Sequence, residues 1–364
     1  MNVIIIELVV AVLAGFGISA LLGIKLVPWL HKLKFGQTIL DIGPNWHKEK
    51  QGTPTMGGLM FIISTIVTFL LIVLVDHFTG HDIVGMSGAA SVLGSMAISA
   101  QAKAKIFGGL IMAFGFGLIG FADDYIKIRK AQNEGLTVLQ KTLLQTLLSA
   151  AYIATLVLSD NRYLYLPLPG VTWDYGNTFW FCIITFIVIY ATVNAVNFTD
   201  GIDGLCASVT MTAALSFGVM AAFHKVFGAS LLAASLLGAL AGYLIWNWHP
   251  AKCFMGDTGS MFLGGMIVAL AYAVDCPLIL LLAGIIYVIE GGSDVIQIAY
   301  FKITKKIARR KDPEATGKRL FKMAPIHHSF ELSGWSEEKI CIVFSAVNLI
   351  GGIVSCLFFY FGAK

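Results

Sequence analysis

The apolar residues of this chain run in long unbroken blocks, with neither the alternation of a half-buried strand nor the three-and-four spacing of a soluble amphipathic helix. About 20 apolar residues in a helix cross a ~30 Å hydrocarbon core. Such blocks fall near residues 4–30, 57–76, 106–121, 142–158, 178–196, 205–223, 229–247, 259–274, 278–301 and 340–361. The pattern predicts an all-α, polytopic integral membrane protein with about ten transmembrane helices in a single domain, residues 1–364. The first block has no basic run before it and no small-residue cleavage site after it, so it reads as a retained span. The ninth holds Gly284, Gly291 and Gly292 together with Glu290, Asp294 and Gln297. It predicts a kinked or broken helix whose polar half lines a cavity.

Composition sharpens this. The 364 residues are 57% hydrophobic and only 13% charged, against ~25% charged in soluble domains. A disordered chain, a secreted domain and a soluble dinucleotide-binding enzyme are all excluded. The six cysteines, mostly inside apolar blocks, form neither a disulfide framework nor a CxxC pair. Cys253 alone lies beside a carboxylate motif, where a reactive thiol competes with a packed one.

Charge then sets sidedness. About 20 basic residues, including Lys34, Lys48, Lys130, Lys252 and the run from Lys302 to Lys322, fall at one set of loops and helix ends; about 5 fall at the other. The basic side is predicted to be cytoplasmic, with both termini outside. The segment 77–105 reads as an external loop with room for a short interfacial helix, and 159–176 as an external turn anchored by Trp and Tyr in the interfacial belt.

With sides assigned, the acids gather on the cytoplasmic face. FADDYIKIRK places Asp123 and Asp124 at the end of span 3, NAVNFTDGIDG places Asp200 and Asp203 after span 5, and NWHPAKCFMGDTGS places Asp257 before span 8. A carboxylate at membrane depth costs at least ~2.5–3.5 kcal/mol on insertion scales, so such residues usually face a cavity. Adjacent Asp123 and Asp124 point about 100° apart on a helix, so one can face the cavity while the other supports it. Asp200 and Asp203, three apart, lie on one face if the segment is helical, and Asn194 and Asn197 precede them. For Asp257 two readings stand: an N-cap of span 8, or a ligand for a hard divalent cation such as Mg2+ beside glycines that admit phosphate.

Two further motifs lie on that face. HKEKQGTPTMGG, with Lys50 and Thr55, leads into span 2, and PIHHSFE presents His327 and His328 after a basic loop. Pro325 suits a helix start that would aim both imidazoles. Zinc is disfavoured, because there is no thiolate set and the acids suit a hard cation. Carboxylates, lysines and glycine-rich turns beside hydrocarbon suit phosphoryl transfer between a soluble phosphate ester and a lipid phosphate.

The motifs TPTMGG at 53–58, DDYIK at 123–127, NAVNFTDGIDG at 194–204, NWHPAKCFMGDTGS at 247–260 and PIHHSFE at 325–331 resemble, in order and spacing, those of the polyprenyl-phosphate N-acetylhexosamine-1-phosphate transferases. The resemblance covers essentially the whole chain and is strongest to the muramoyl-pentapeptide branch. It implies transfer of phospho-N-acetylmuramoyl-pentapeptide from a UDP-linked donor to undecaprenyl phosphate, with release of UMP, in a bacterial plasma membrane with the cleft facing the cytoplasm. It further implies a homodimer, a Mg2+ cofactor held by Asp257 with Asp200 near it, and Asp123 activating the lipid phosphate with Asp124 beside it. By the same matching, Asp200, Asp203, Asn194, Asn197 and Phe254 surround the nucleoside and metal. Lys50, Thr55, Lys127, Lys141, Asn247, Gln297, His327 and His328 line the phosphate and sugar region. One departure is visible: the family usually has a third consecutive histidine where this chain has Ser329.

The alternatives are a related N-acetylglucosamine-1-phosphate transferase or, in another class, an ion-coupled secondary transporter. A transporter predicts midplane charges and inverted repeats, whereas these acids lie at one face and no internal repeat is evident. A scaffold would leave the acidic motifs unused, and nothing points to nucleic acid.

Overall fold

The computed structural model describes residues 2–32, 50, 52–85, 92–130, 134–165, 172–174, 177–310 and 312–362. Lys34 and Lys48, counted above for sidedness, lie outside the described residues, as does the start of the HKEKQGTPTMGG motif.

Apart from one short hairpin, the regular structure of the described chain is helical: α1 (Asn2–Lys32), α2 (Gly58–Phe78), α3 (Val92–Arg129), α4 (Val138–Leu158), α5 (Thr178–Thr199), α6 (Leu205–Phe223), α7 (Phe227–Asn247), α8 (Gly256–Ala273), α9 (Leu280–Ala283), α10 (Ile285–Ala308), α11 (Ile326–Glu331) and α12 (Glu337–Gly362). Eight of these helices are long and apolar enough to cross a membrane, and a ninth span arises if α9 and α10 are taken together. The remaining predicted block, 259–274, is α8, whose first turn, GDTGS, dilutes its apolar run.

Three local outcomes differ from the sequence pattern or refine it. The predicted external loop 77–105 is helical from Val92 onward as part of α3, in keeping with its alanines and with the Lys105–Asp275 ion pair that ties it to the turn after α8 (2.6 Å). The second external loop carries a small antiparallel hairpin, β1 (Tyr163–Tyr165) with β2 (Thr172–Asp174), in the register Tyr163 opposite Asp174. The ninth span is broken, with α9 and α10 meeting at 87°. The break falls at Gly284, while Gly291 and Gly292 remain inside α10.

α8 is the central helix, buried from Thr258 to Ala273 and packed against α2, α3, α5 and α6. Without a strong hydrophobic drive between helices in lipid, close approach depends on small residues. A Cβ at Gly120 of α3 would collide with the Asp257 backbone, one at Gly265 with Ala113, and one at Gly264 with Val193 of α5. These contacts bring the ends of α3, α5 and α8 together, and the polar residues sit there.

Candidate active site

Each functional side chain is delivered by a helix end. α4 starts with a capping box: Thr137 Oγ1 accepts from Gln140 N (3.2 Å) and Gln140 Oε1 accepts from Thr137 N (2.9 Å). That start sets Lys141 in the first turn, facing α3. At the end of α3, Asp123 and Lys127 are one turn apart and pair at 2.6 Å. Gly256 turns the chain with φ of +68° into the first turn of α8, against the Asp124 carboxylate and Thr55 hydroxyl; any Cβ there would strike both.

The neighbouring aspartates of α3 have separate tasks, as their 100° divergence requires. Asp124, 4% exposed, accepts from the backbone N–H groups of Asp257 (3.3 Å) and Thr258 (2.9 Å) and from the Thr258 hydroxyl (2.7 Å). It therefore supplies a negative charge to the N-terminus of α8 from a different helix. This settles the two readings of Asp257 against the cap: the cap is Asp124, and the Asp257 carboxylate is turned elsewhere. Asp257 Oδ2 meets Lys141 (2.6 Å) and Lys127 (3.2 Å), and Oδ1 accepts from Asn197 (2.9 Å). Asp123, 1% exposed, accepts from Leu136 N (2.8 Å) and lies 3.4 Å from Lys141. One carboxylate oxygen from each of Asp123, Asp124 and Asp257 lies within 4.8 Å of the others. By formal charge, three acids face two lysines in this group, a balance that suits a cation.

A second polar group lies between the α5–α6 turn and the start of α12. Lys50 pairs with Asp203 (2.7 Å) and Glu337 (2.6 Å), and His249 Nδ1 lies 3.0 Å from Asp203. Asp203 also accepts from Ala251 N (2.9 Å), and Glu337 from Asp203 N (2.9 Å). Asp200 belongs to neither three-residue group. Burial first, then Asp257, Asp124 and Asp203, push its carboxyl well above the usual carboxylate range. The acids with a carboxylate oxygen within 4.8 Å of one of Asp257 are Asp123 and Asp124, with Asp200 farther off.

The histidine motif forms the predicted short helix after Pro325, and the helix aims one imidazole inward. His327 and Glu290 of α10 are both fully buried and meet at 3.0 Å through Nδ1, while His327 Nε2 has no hydrogen-bond partner among the described residues. That ring abuts Gly201, where a methyl group would collide with it. His328 packs against His327 with ring centroids 4.1 Å apart and planes tilted by 57°, and it meets Glu331 (2.6 Å). Ser329, at the departing position, donates to Met323 O (2.6 Å) and accepts from Met323 N (3.0 Å), closing the preceding loop on itself.

The remaining predicted residues hold the frame. Asn247 accepts from Gly204 N (3.1 Å) and donates to Cys253 O (3.0 Å). Phe254 pairs its backbone with Pro54 and Gly57 (both 2.8 Å), fastening the TPTMGG turn to α8. Gln297 accepts from Leu320 N and Phe321 N (both 3.0 Å), tying the basic loop to α10. Asn194 donates to Gln145 and to Tyr190 O (3.0 and 2.8 Å) between α4 and α5, apart from the carboxylates. Burial pushes the Cys253 thiol up to about 12, so it is a packed residue and not a nucleophile. Sequence reasoning missed His249, Glu337 and Glu290 as partners. Glu337 reads locally as an ordinary first-turn acid, and only the fold shows it beside Lys50.

A helical membrane bundle with acids and lysines converging at its helix ends defines a membrane-embedded transferase site, and residues 106–275 match the family model for glycosyl transferase family 4. Residues 50–62 match phospho-N-acetylmuramoyl-pentapeptide-transferase signature 1. Proteins named phospho-N-acetylmuramoyl-pentapeptide-transferase are similar along nearly the whole chain. That of Carboxydothermus hydrogenoformans is 39% identical over 355 residues, 95% of this chain and 97% of its own. That of Clostridium acetobutylicum is 38% identical over 350 residues, 96% and 98%, and that of Listeria innocua 40% over 342 residues, 93% and 94%. The chain belongs to the phospho-N-acetylmuramoyl-pentapeptide-transferase family.

Proposed function

We propose that the chain transfers phospho-N-acetylmuramoyl-pentapeptide from its UDP-linked donor to undecaprenyl phosphate, for peptidoglycan synthesis, at the cytoplasmic face of a bacterial plasma membrane. Ten spans with both termini outside go with this reading, on the bias of basic residues. The observation that carries the chemistry is the meeting of Asp123, Asp124 and Asp257 with Lys127 and Lys141.

In the transfer, an oxygen of the lipid phosphate bonds to the sugar-bearing phosphorus, the bond from that phosphorus to the bridging oxygen breaks, and UMP leaves. Lys127 and Lys141 balance charge on the diphosphate. Asp123 orients the lipid phosphate or takes its proton, and Asp124 keeps α8 in place. The three carboxylates offer the hard-oxygen donor set that Mg2+ prefers, with Asp257 and Asp123 the ones that would hold it. When bound, Mg2+ supplies charge stabilisation for the leaving phosphate. Asp257 has both oxygens engaged by Lys127, Lys141 and Asn197, which favours direct attack over an aspartyl intermediate.

Purified protein given the UDP donor and undecaprenyl phosphate releases UMP, loses that activity on metal chelation and regains it with Mg2+. Activity of an Asp257→Ala variant in chelator would overturn the assignment. Incubation without lipid acceptor yields no covalent sugar-phosphate adduct by mass spectrometry; an adduct on an aspartate would replace the direct route.

A further inference from the structure

The outer half of α10 divides into three faces. Gln297, Phe301 and Thr304 face the loop 317–321: Thr304 Oγ1 accepts from Lys318 N (2.9 Å), Gln297 binds the backbone at 320–321, and Gly317 packs on Phe301. Ile296, Tyr300, Ile303 and Ile307, at helical spacing, form an apolar stripe that the protein leaves uncovered; Ile296, Ile303 and Ile307 are 50%, 58% and 59% exposed. Lys302, Lys305, Lys306 and Arg309 form a third, cationic face. Eight described basic residues lie between Lys302 and Lys322, with only Asp312 and Glu314 as acids. Lys302, Lys305 and Lys306 pair with no carboxylate among the described residues.

The 87° break at Gly284 turns α10 sharply away from α9. A helix with a solvent-facing basic arc and a separate exposed apolar arc is the form that lies at headgroup depth, with its apolar side in the acyl boundary and its cations among phosphates. We propose that the outer half of α10 is an interfacial docking surface for anionic phospholipid headgroups, occupied by the membrane leaflet itself. The carboxylates of a soluble peptide would match the cations equally well, but leave the apolar stripe without a partner. Because Gln297 and Thr304 hold the loop leading to His327, lipid contact on one side of α10 steadies the histidine motif on the other.

The test uses the full chain in phosphatidylcholine nanodiscs with or without phosphatidylglycerol, counting retained lipids by native mass spectrometry. Wild-type protein retains phosphatidylglycerol preferentially, and the preference falls with salt. The triple variant K302Q/K305Q/K306Q lowers it by at least about tenfold, the charge-conserving triple Lys→Arg variant keeps it, and activity in neutral detergent stays at the wild-type level in both. An unchanged preference in the Gln variant overturns the proposal. So does an unchanged preference accompanied by a raised KM for the UDP donor, which would assign the basic face to the donor's peptide instead.

Discussion

Asp123 and Asp124 show how little adjacency says about role. Both are nearly buried, yet one faces lysines and the other caps a helix that begins over a hundred residues later. Asp124→Ala removes three hydrogen bonds from the first turn of α8, and a cap of this kind is worth about 1–2 kcal/mol. Thermal unfolding in detergent is expected to show that loss, together with loss of transfer, whereas Asp123→Ala leaves the cap in place. Glu290 is the second residue whose role is structural but close to the chemistry. Glu290→Ala strands the buried His327 ring without its Nδ1 partner, at a cost of about 1–3 kcal/mol. Glu290→Gln retains an acceptor and is expected to keep more kcat than the alanine variant in a UMP-release assay. Of these features, the sequence shows the carboxylate pair and the histidines, because charge is rare in so apolar a chain. It does not show Glu290 as the partner of His327, because the two lie 37 positions apart on separate helices.

At the scale of elements, helix ends do most of the positioning. The apolar blocks predict most spans within a few residues, since length and hydropathy are local properties, while α3 and α10 run well beyond their blocks into polar sequence; the contacts between spans are not local. Gly120 illustrates this: in sequence it is one of several glycines in α3, while in the fold it is where α3 touches the backbone of Asp257. Gly120→Val is expected to force α3 and α8 apart, destabilising by about 1–3 kcal/mol as other overpacked contacts do. It should lower activity more than a matching change at Gly17, which has open space around it; thermal midpoints and UMP release on both variants check this. The broken ninth span was legible as three glycines among polar residues, but which glycine breaks it was not. Gly284 does so at the junction of α9 and α10, whereas Gly291 and Gly292 stay helical inside a packed α10.

For the whole molecule, sidedness decides from which compartment the donor reaches the site. The carboxylate groups, Lys50 and the basic loop converge where α3, α5, α7 and α10 end and α8 and α12 begin, and the proposal that this side is cytoplasmic rests on its excess of basic residues. A single cysteine placed at Lys318 in a cysteine-free background is expected to react with a membrane-impermeant maleimide only after inverted vesicles are prepared or cells are opened. One placed at Arg162, beside the hairpin, should react in intact cells once the outer barrier is permeabilised. Reversal of the two would turn the proposed active site outward.

Sequence by itself determined that the chain is a helical membrane protein, which segments are apolar enough to be spans, and which few carboxylates, lysines and histidines are candidates for its chemistry. These follow from hydropathy, from the cost of placing charge beside lipid, and from motif order, all readable along one dimension. Tertiary structure alone decided that Asp124 caps α8, that Asp257 is held by Lys127, Lys141 and Asn197, and that Lys50 bridges Asp203 to Glu337. Those pairings depend on how closely helices approach, and that is set by glycine contacts between segments far apart in the chain.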